Sequence, residues 1–522
     1  MNKILKRCLV VTLLLPALLL ASCRLLPPLA RPSASPDAPA SYEVVAGYAI
    51  KTDYAGLTSY KPADEKYTRL SEGPLPILQP SEDYGLLLPY VGEVLYSDSG
   101  YSMSSLYGLV TADGRIVTDA VYTGAWQGHY YNTGSNTGEY MPAYHLQQLG
   151  DSLDESEPWN SGRHAACALD GSWITPFDYS DIWFTDTVIL LVRDYDTNDV
   201  DVMDYDGRLL YNSKALSCYE DILPQSAYMF QSCYGEGCYT LQLSGGRTVY
   251  IDAVTGSAQI TDFEYGGPFS NGLSAVMKNG LYGYVDSSLR LVIPLQYVSA
   301  EYFYDGKSSV QDQNGTYAII DQNGTPLMTA RYYISRYHGF YAVFDNNQNT
   351  RYYSADFNEI TLDDQQLSPL DDGWFSYKTD AGLCMYNVND GKSLTVPDID
   401  GVGYIRGGLA SVYVETPNWQ EGLISLDGKM LIPPAEYQSI SIAASDLTGE
   451  TYAVAAVYDV TGRGSAFKVY DAEGRMLFEG IGYANYMTQL DLFQIQSDDS
   501  CAYADLSGKE LFRISLLDYV PD

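Results

Sequence analysis

The sequence predicts an all-β protein, an array of short antiparallel repeat units of three to four strands, either propeller-like in one or two rings or an open curved stack. Three observations carry that expectation: a hairpin cassette that returns along most of the chain, glycine turns at near-regular spacing, and 49 tyrosines. At 522 residues the chain is too long for one ordinary core, so several domains or a repeat array must share the burial. Hydrophobic residues make up 46% of it, enough to exclude global disorder. Tyrosine packs its ring on a pleated face while its hydroxyl reaches water, so most copies are expected to be structural.

In the clearest copy of the cassette, Gly272 to Val276, Tyr282 to Asp286 and Arg290 to Pro294 read as three strands, separated by Asn279-Gly280 and Ser287-Ser288. A second copy keeps the order: Gly408 to Val412, Gly422 to Leu426, the turn Asp427-Gly428, then Lys429 to Pro433. Weaker copies are marked by their turns at Asp113-Gly114, Asp170-Gly171, Asp206-Gly207, Thr255-Gly256, Asn323-Gly324, Asp390-Gly391, Glu473-Gly474 and Ser507-Gly508, with a degenerate one at Asn358-Glu359. Asn-Gly and Asp-Gly suit a two-residue reversal in which both central residues take positive φ. The spacing predicts about eleven units over residues 100 to 515. After the third strand a proline precedes an aromatic by three, as in Pro176 to Tyr179 and Pro294 to Tyr297, where it is expected to stop ladder pairing and turn the chain.

The cassette resembles the bacterial WG-repeat family, whose unit runs Phe-Ser-x-Gly-Leu-Ala-x-Val, a turn, Trp-Gly-Tyr-Ile-Asp, a glycine turn, then Val-Ile-Pro-x-x-Tyr. Phe269-Ser270, Gly272-Leu273, Val276, Gly283 to Asp286, Val292 to Pro294 and Tyr297 match it, with Tyr282 in place of the naming tryptophan. The resemblance is specific for this copy, good for residues 408–437, and a likeness of turn and pattern elsewhere. It implies a noncatalytic repeat module, frequent in exported proteins, and supplies no catalytic residue.

Residues 1–22 read as a lipoprotein signal peptide: a basic head with Lys3, Lys6 and Arg7, then an apolar run from Leu9 to Leu20 too short to span a bilayer. The run ends Leu20-Ala21-Ser22-Cys23, which resembles the bacterial lipobox and makes Cys23 the expected lipid-attachment site. Residues 23–45 then form a tether whose Pro27, Pro28, Pro32, Pro36 and Pro39 favour an extended chain, able to hold the folded part on the order of 50 Å from the membrane. Residues 46–100 are expected as an N-terminal β segment, and 101–522 as the repeat region with a polar insertion at 130–163. Localisation follows: the bacterial envelope, outside the cytoplasm, anchored by lipid.

With 30 Lys and Arg against 66 Asp and Glu the net charge is −36, which repels nucleic acid. Losing the first 22 residues leaves 27 bases against 66 acids, a net of −39. Beyond Cys8 and Cys23 only six cysteines remain, unlike a disulfide scaffold. Cys233 and Cys238 are close enough for a local disulfide, against the alternatives of free thiols or a metal site.

Neither a nucleophile elbow nor a P-loop is present, since Glu301 and Tyr386 stand where the Gly-Lys-Ser strings at 306–308 and 391–393 need glycine. Four histidines, His129, His145, His164 and His338, show no metalloprotease spacing. The acidic run Asp194, Asp196, Asp199, Asp201, Asp204 and Asp206 fails the EF-hand pattern, because Asp199 replaces the glycine and Tyr205 the bidentate Glu. It reads as a loop feeding a strand with Val200 and Val202 inward. No catalytic residue, cofactor or metal is assigned. The expected function is a membrane-anchored binding or scaffolding surface for a protein, glycan or wall ligand. The alternatives are an extracellular glycoside hydrolase and a calcium-dependent adhesion or sensor module.

Overall fold

The computed structural model describes residues 84–515 except 97–101, 119, 121, 133–136, 149–162, 224–232, 338, 345–349, 362–366, 416–417, 459–463 and 498–499, together with the strand pair Tyr48–Ala49 and Lys61–Pro62. The expected signal segment 1–22, Cys23 and the tether to residue 45 lie outside the described residues, as does His338.

The repeating element is an antiparallel meander of four strands, one more than the cassette suggests. In its clearest copy Tyr265–Ser270, Leu273–Lys278, Leu281–Asp286 and the first part of Leu291–Ala300 lie side by side in that order. The two middle strands are buried over Leu273 to Val276 and Gly283 to Val285, whereas Leu291 and Val292 on the outer strand are exposed. That explains their near-continuous runs of apolar and small residues: neighbouring units cover them on both faces. The glycine of the motif has a steric reason, since a Cβ at Gly283 would lie 2.5 Å from the Ile293 carbonyl oxygen and one at Gly422 lies 2.6 Å from that of Ile432.

Proline does not end the third strand of the cassette. Leu291–Ala300 is one strand through Pro294, and its ladder jumps from Tyr284↔Ile293 to Tyr282↔Tyr297. The missing donor therefore makes a bulge, after which Tyr297 also pairs with Asp312 of the next unit. Met430–Tyr437 repeats the jump across Pro433 and Pro434.

Turn chemistry divides into two kinds. At Asn271-Gly272 and Asn279-Gly280 both residues have positive φ, as a two-residue hairpin requires. The regularly spaced turns before the outer strand are different, because only one residue of each is left-handed: Gly324 at φ 81°, Gly428 at 87°, Gly474 at 78°. There Gly324 N–H donates to the Asp321 carbonyl and Asp321 N–H to that of Thr325, a three-residue turn with a glycine bulge. The Asp321 carboxylate accepts the Asn323 and Thr325 N–H groups at 2.9 and 2.8 Å, which is why Asp so often opens the turn.

Ten sheets follow one another from Leu87, seven of them four-stranded, and the seven-stranded sheet contains two consecutive meanders, giving eleven units among the described residues. Each sheet is open. The hydrophobic clusters lie between consecutive units: Leu87, Leu109, Tyr144 and Leu146 join units 1 and 2, Tyr250, Phe269 and Val276 join 4 and 5, and Val454, Val469, Phe493 and Ala502 join 10 and 11. No meander buries its own faces, as a stacked array requires.

The last unit also packs on the first. Leu88, Tyr90 and Val110 share a cluster with Leu492, Cys501, Tyr503 and Phe512, and Tyr503 Oη donates to the Pro89 carbonyl at 2.5 Å. The link imitates internal ones: Tyr250 and Tyr284, at the matching position, meet Ser274 and Ser308 of the following unit at 2.8 Å. A Cβ at Gly114 would likewise touch Phe512, as one at Gly474 touches Leu431 of the preceding unit.

Candidate functional site

Where it is described, the segment expected as a polar insertion continues a hairpin arm. Gly124–Asn132 and Thr137–Gln148 pair, and Arg163–Ala168 completes the sheet, while residues 149–162 lie outside the described ones. Polar outward residues conceal the alternation, in which Met141 and Ala143 face one core and Tyr144 and Leu146 another.

This sheet brings two histidines together that sequence spacing leaves apart. Trp126 stands directly opposite His145, and His164 lies diagonally beyond it on the third strand. His145 Nε2 and His164 Nδ1 are 2.6 Å apart, and both side chains are buried. Asp181, on the first strand of unit 3, Asp181–Phe184, completes a group whose ligand atoms all lie within 4.8 Å of one another. Its carboxylate is held by three donors: the Ile182 N–H at 2.8 Å, Trp183 Nε1 at 2.9 Å and Tyr195 Oη at 2.7 Å. The rings of Trp126 and Phe184 flank His145 at 4.5 and 6.3 Å. Burial, reinforced by His164, pushes the His145 imidazole down to about 3, and burial also lowers His164 against the opposing pull of Asp181. Both shifts favour the neutral imidazole. No short motif announces this group; its only signal in the sequence is two histidines in neighbouring strands, readable once the register is known.

A second feature sits at the hairpin end of unit 9. Tyr413 and Trp419 stack with centroids 4.3 Å apart and planes 20° apart, Trp419 Nε1 donating to Glu421 at 3.1 Å. Trp419 is 46% exposed and Tyr404 on the adjoining strand 71%. Tyr413 lies flat because Gly401 opposite it has no side chain; a Cβ there would fall 2.3 Å from the hydroxyl. On the other face of unit 9 an open polar cavity of about 400 Å³ is lined by Lys378, Asp380, Asp398, Asp400 and Val414 among others. The Lys378 ammonium lies 3.8 Å from the Asp400 carboxylate.

The acidic run has local partners. Asp194 caps its turn through Asp196 N–H and Thr197 Oγ1, Asp199 pairs with Lys214 at 2.6 Å, Asp201 with Arg193 at 2.7 Å, and Asp204 with Arg208 at 3.1 Å. Val200 and Val202 are buried between them. Cys233 and Cys238 lie on the two arms of one hairpin, where the Cys233 carbonyl accepts from Thr240 N–H at 3.2 Å. Cys167, Cys218, Cys384 and Cys501 are buried free thiols.

No curated protein matches this chain. Among solved structures, a eukaryotic initiation factor is 12% identical over 54% of this chain and 87% of its own, with a TM-score of 0.31. BamB from Moraxella catarrhalis is 12% identical over 66% and 95% at a TM-score of 0.22, and the WD40 beta propeller domain of Doa1 12% identical over 42% and 86% at 0.19. The model of the WG containing repeat matches residues 261–282 and 282–317, the stretch that holds the clearest meander and the one fused to it. Within these residues the chain carries the WG containing repeat.

Proposed function

We propose that this β-repeat protein is an extracytoplasmic binding or scaffolding module, tethered to a bacterial envelope membrane through lipid on Cys23, and that its array displays a surface for a protein, glycan or wall ligand. The observation that carries the reading is the Tyr413–Trp419 stack, in which the exposed indole lies against a half-buried tyrosine ring that already supports it. Such a pair offers apolar area at little cost in side-chain freedom, which suits a sugar face or an aliphatic side chain. The acidic surface keeps the displayed array soluble and favours neutral or cationic ligands.

The test is retention of the purified chain on peptidoglycan sacculi and on insoluble wall polysaccharide. Trp419→Ala is expected to weaken retention by at least about tenfold while leaving the fold intact, as loss of an interfacial aromatic anchor does. Equal retention of both proteins removes the stack from the reading. Palmitate labelling of the expressed protein, lost in Cys23→Ala, checks the anchor separately.

A further inference from the structure

We propose that His145, His164 and Asp181 form a site for one divalent transition-metal ion, zinc being the best suited, at the junction of units 2 and 3. Three ligand atoms from three strands already lie within 4.8 Å of one another. A tetrahedral ion with Zn–N bonds of about 2.0–2.1 Å needs its nitrogens roughly 3.3 Å apart. The two imidazole nitrogens stand at 2.6 Å, so the rings must part by less than about 1 Å, within reach of small rotations of both side chains.

The surroundings are those of a ligand set rather than of a plain core contact. The two rings meet nitrogen to nitrogen, and neutral imidazole is the ligating form. Asp181 is oriented by Trp183 and Tyr195, the outer support that ligating carboxylates need. Trp126 and Phe184 supply an apolar wall, and Trp126 is itself 45% exposed, so the site lies one ring beneath solvent. Two nitrogens and one oxygen disfavour calcium and magnesium, which take oxygen ligands, and suit zinc, nickel or copper. Three protein ligands leave a fourth position for water or for a donor from a bound partner. The ion would bridge consecutive units, fastening the long hairpin sheet to its neighbour.

The test uses the full chain stripped with a chelator and titrated with Zn²⁺ against a chromophoric competitor, then with Co²⁺ followed by absorption. One ion per chain is expected, with the ligand-field bands of a four-coordinate cobalt site. His145→Gln and His164→Gln should each abolish stoichiometric binding, and Tyr195→Phe should weaken it by about 10- to 100-fold as outer-shell changes do. Cu²⁺ should quench the fluorescence of Trp126 and Trp183, and Trp126→Phe should reduce the quenched part without changing the stoichiometry. Failure of the wild type to bind zinc at micromolar concentration, octahedral cobalt bands, or binding unaltered in both histidine variants would overturn the proposal. Should either histidine variant not fold, the cobalt spectrum of the wild type and the Asp181→Asn titration decide it.

Discussion

Tyrosine is the residue that lets identical meanders recognise one another. Tyr284 Oη meets Ser308 Oγ and the Glu301 carbonyl across a unit boundary, and Tyr437 and Tyr470 join hydroxyls at 2.8 Å between units 9 and 10. The ring fills the apolar gap between sheets while the hydroxyl satisfies a buried acceptor that phenylalanine would leave bare. Aspartate has the corresponding role in the turns. The Asp286 carboxyl is held below the usual carboxylate range by its hydrogen bonds from the Arg290 side chain and then the Arg290 backbone; Asp312 and Asp321 are held low by the backbone N–H of Thr316 and Thr325. Because the folded-state value is depressed, this stabilisation is complete above the ordinary carboxyl range and is lost as pH falls through the folded value, below about pH 4. Asp286→Asn keeps an acceptor for the turn but no titrating group. The variant is accordingly expected to melt below the wild type at pH 7 and to draw level with it as pH falls below the ordinary carboxyl range, as scanning calorimetry across that range would show. A difference that stays constant with pH would mean that the carboxylate charge contributes nothing there.

At the scale of the element, the turn before the outer strand does two things at once in units 6, 10 and 11, whereas Gly391 of unit 8 faces open space. In those three turns the glycine takes a left-handed conformation and also rests against the preceding unit: a Cβ at Gly474 would meet Leu431 Cβ at 2.9 Å, and one at Gly508 would meet Phe478 Cβ at 2.3 Å. Gly280 has the same kind of φ, 73°, but faces open space. Gly280→Ala is expected to cost about 1–2 kcal/mol of backbone strain alone, whereas Gly474→Ala adds a steric penalty and should cost about 2–4 kcal/mol. Urea titrations of the two variants separate these contributions, and equal losses would show that the unit contact yields freely. These turns are also what made the fold legible, since Gly-containing reversals at near-regular spacing mark successive units even where the strands have diverged. The first strand of each meander was less legible, because Tyr265–Ser270 and Gly401–Arg406 contain glycines and register shifts instead of a clean alternation. Prolines 294 and 433 read as stops because a missing N–H normally ends a ladder, and the bulge that tolerates them is a tertiary outcome. The histidine pair was illegible for a related reason: His145 and His164 meet only because a register set by the whole sheet places Gln147 opposite His164.

For the whole molecule, the decisive fact is that the eleventh unit lies on the first. In an open stack the terminal units would each have one neighbour and fray independently. Here Tyr503 and Phe512 supply the face against which Leu88, Tyr90 and Val110 are buried, so the two ends of the array share one cluster although Pro89 and Tyr503 are 414 residues apart. The contact combines a shared apolar cluster with a tyrosine hydrogen bond, the two ingredients of the internal junctions, and it opposes the self-repulsion of a chain of net charge −36. Tyr503→Ala removes a fully buried ring and should cost about 3–5 kcal/mol, most of it charged to both ends at once. Amide hydrogen exchange is expected to accelerate over residues 84–122 as well as over 483–515, with units 5 and 6 at the far side of the array unaffected. Faster exchange confined to 483–515 would mean that the first unit is held by unit 2 alone, and that the array ends where the chain does.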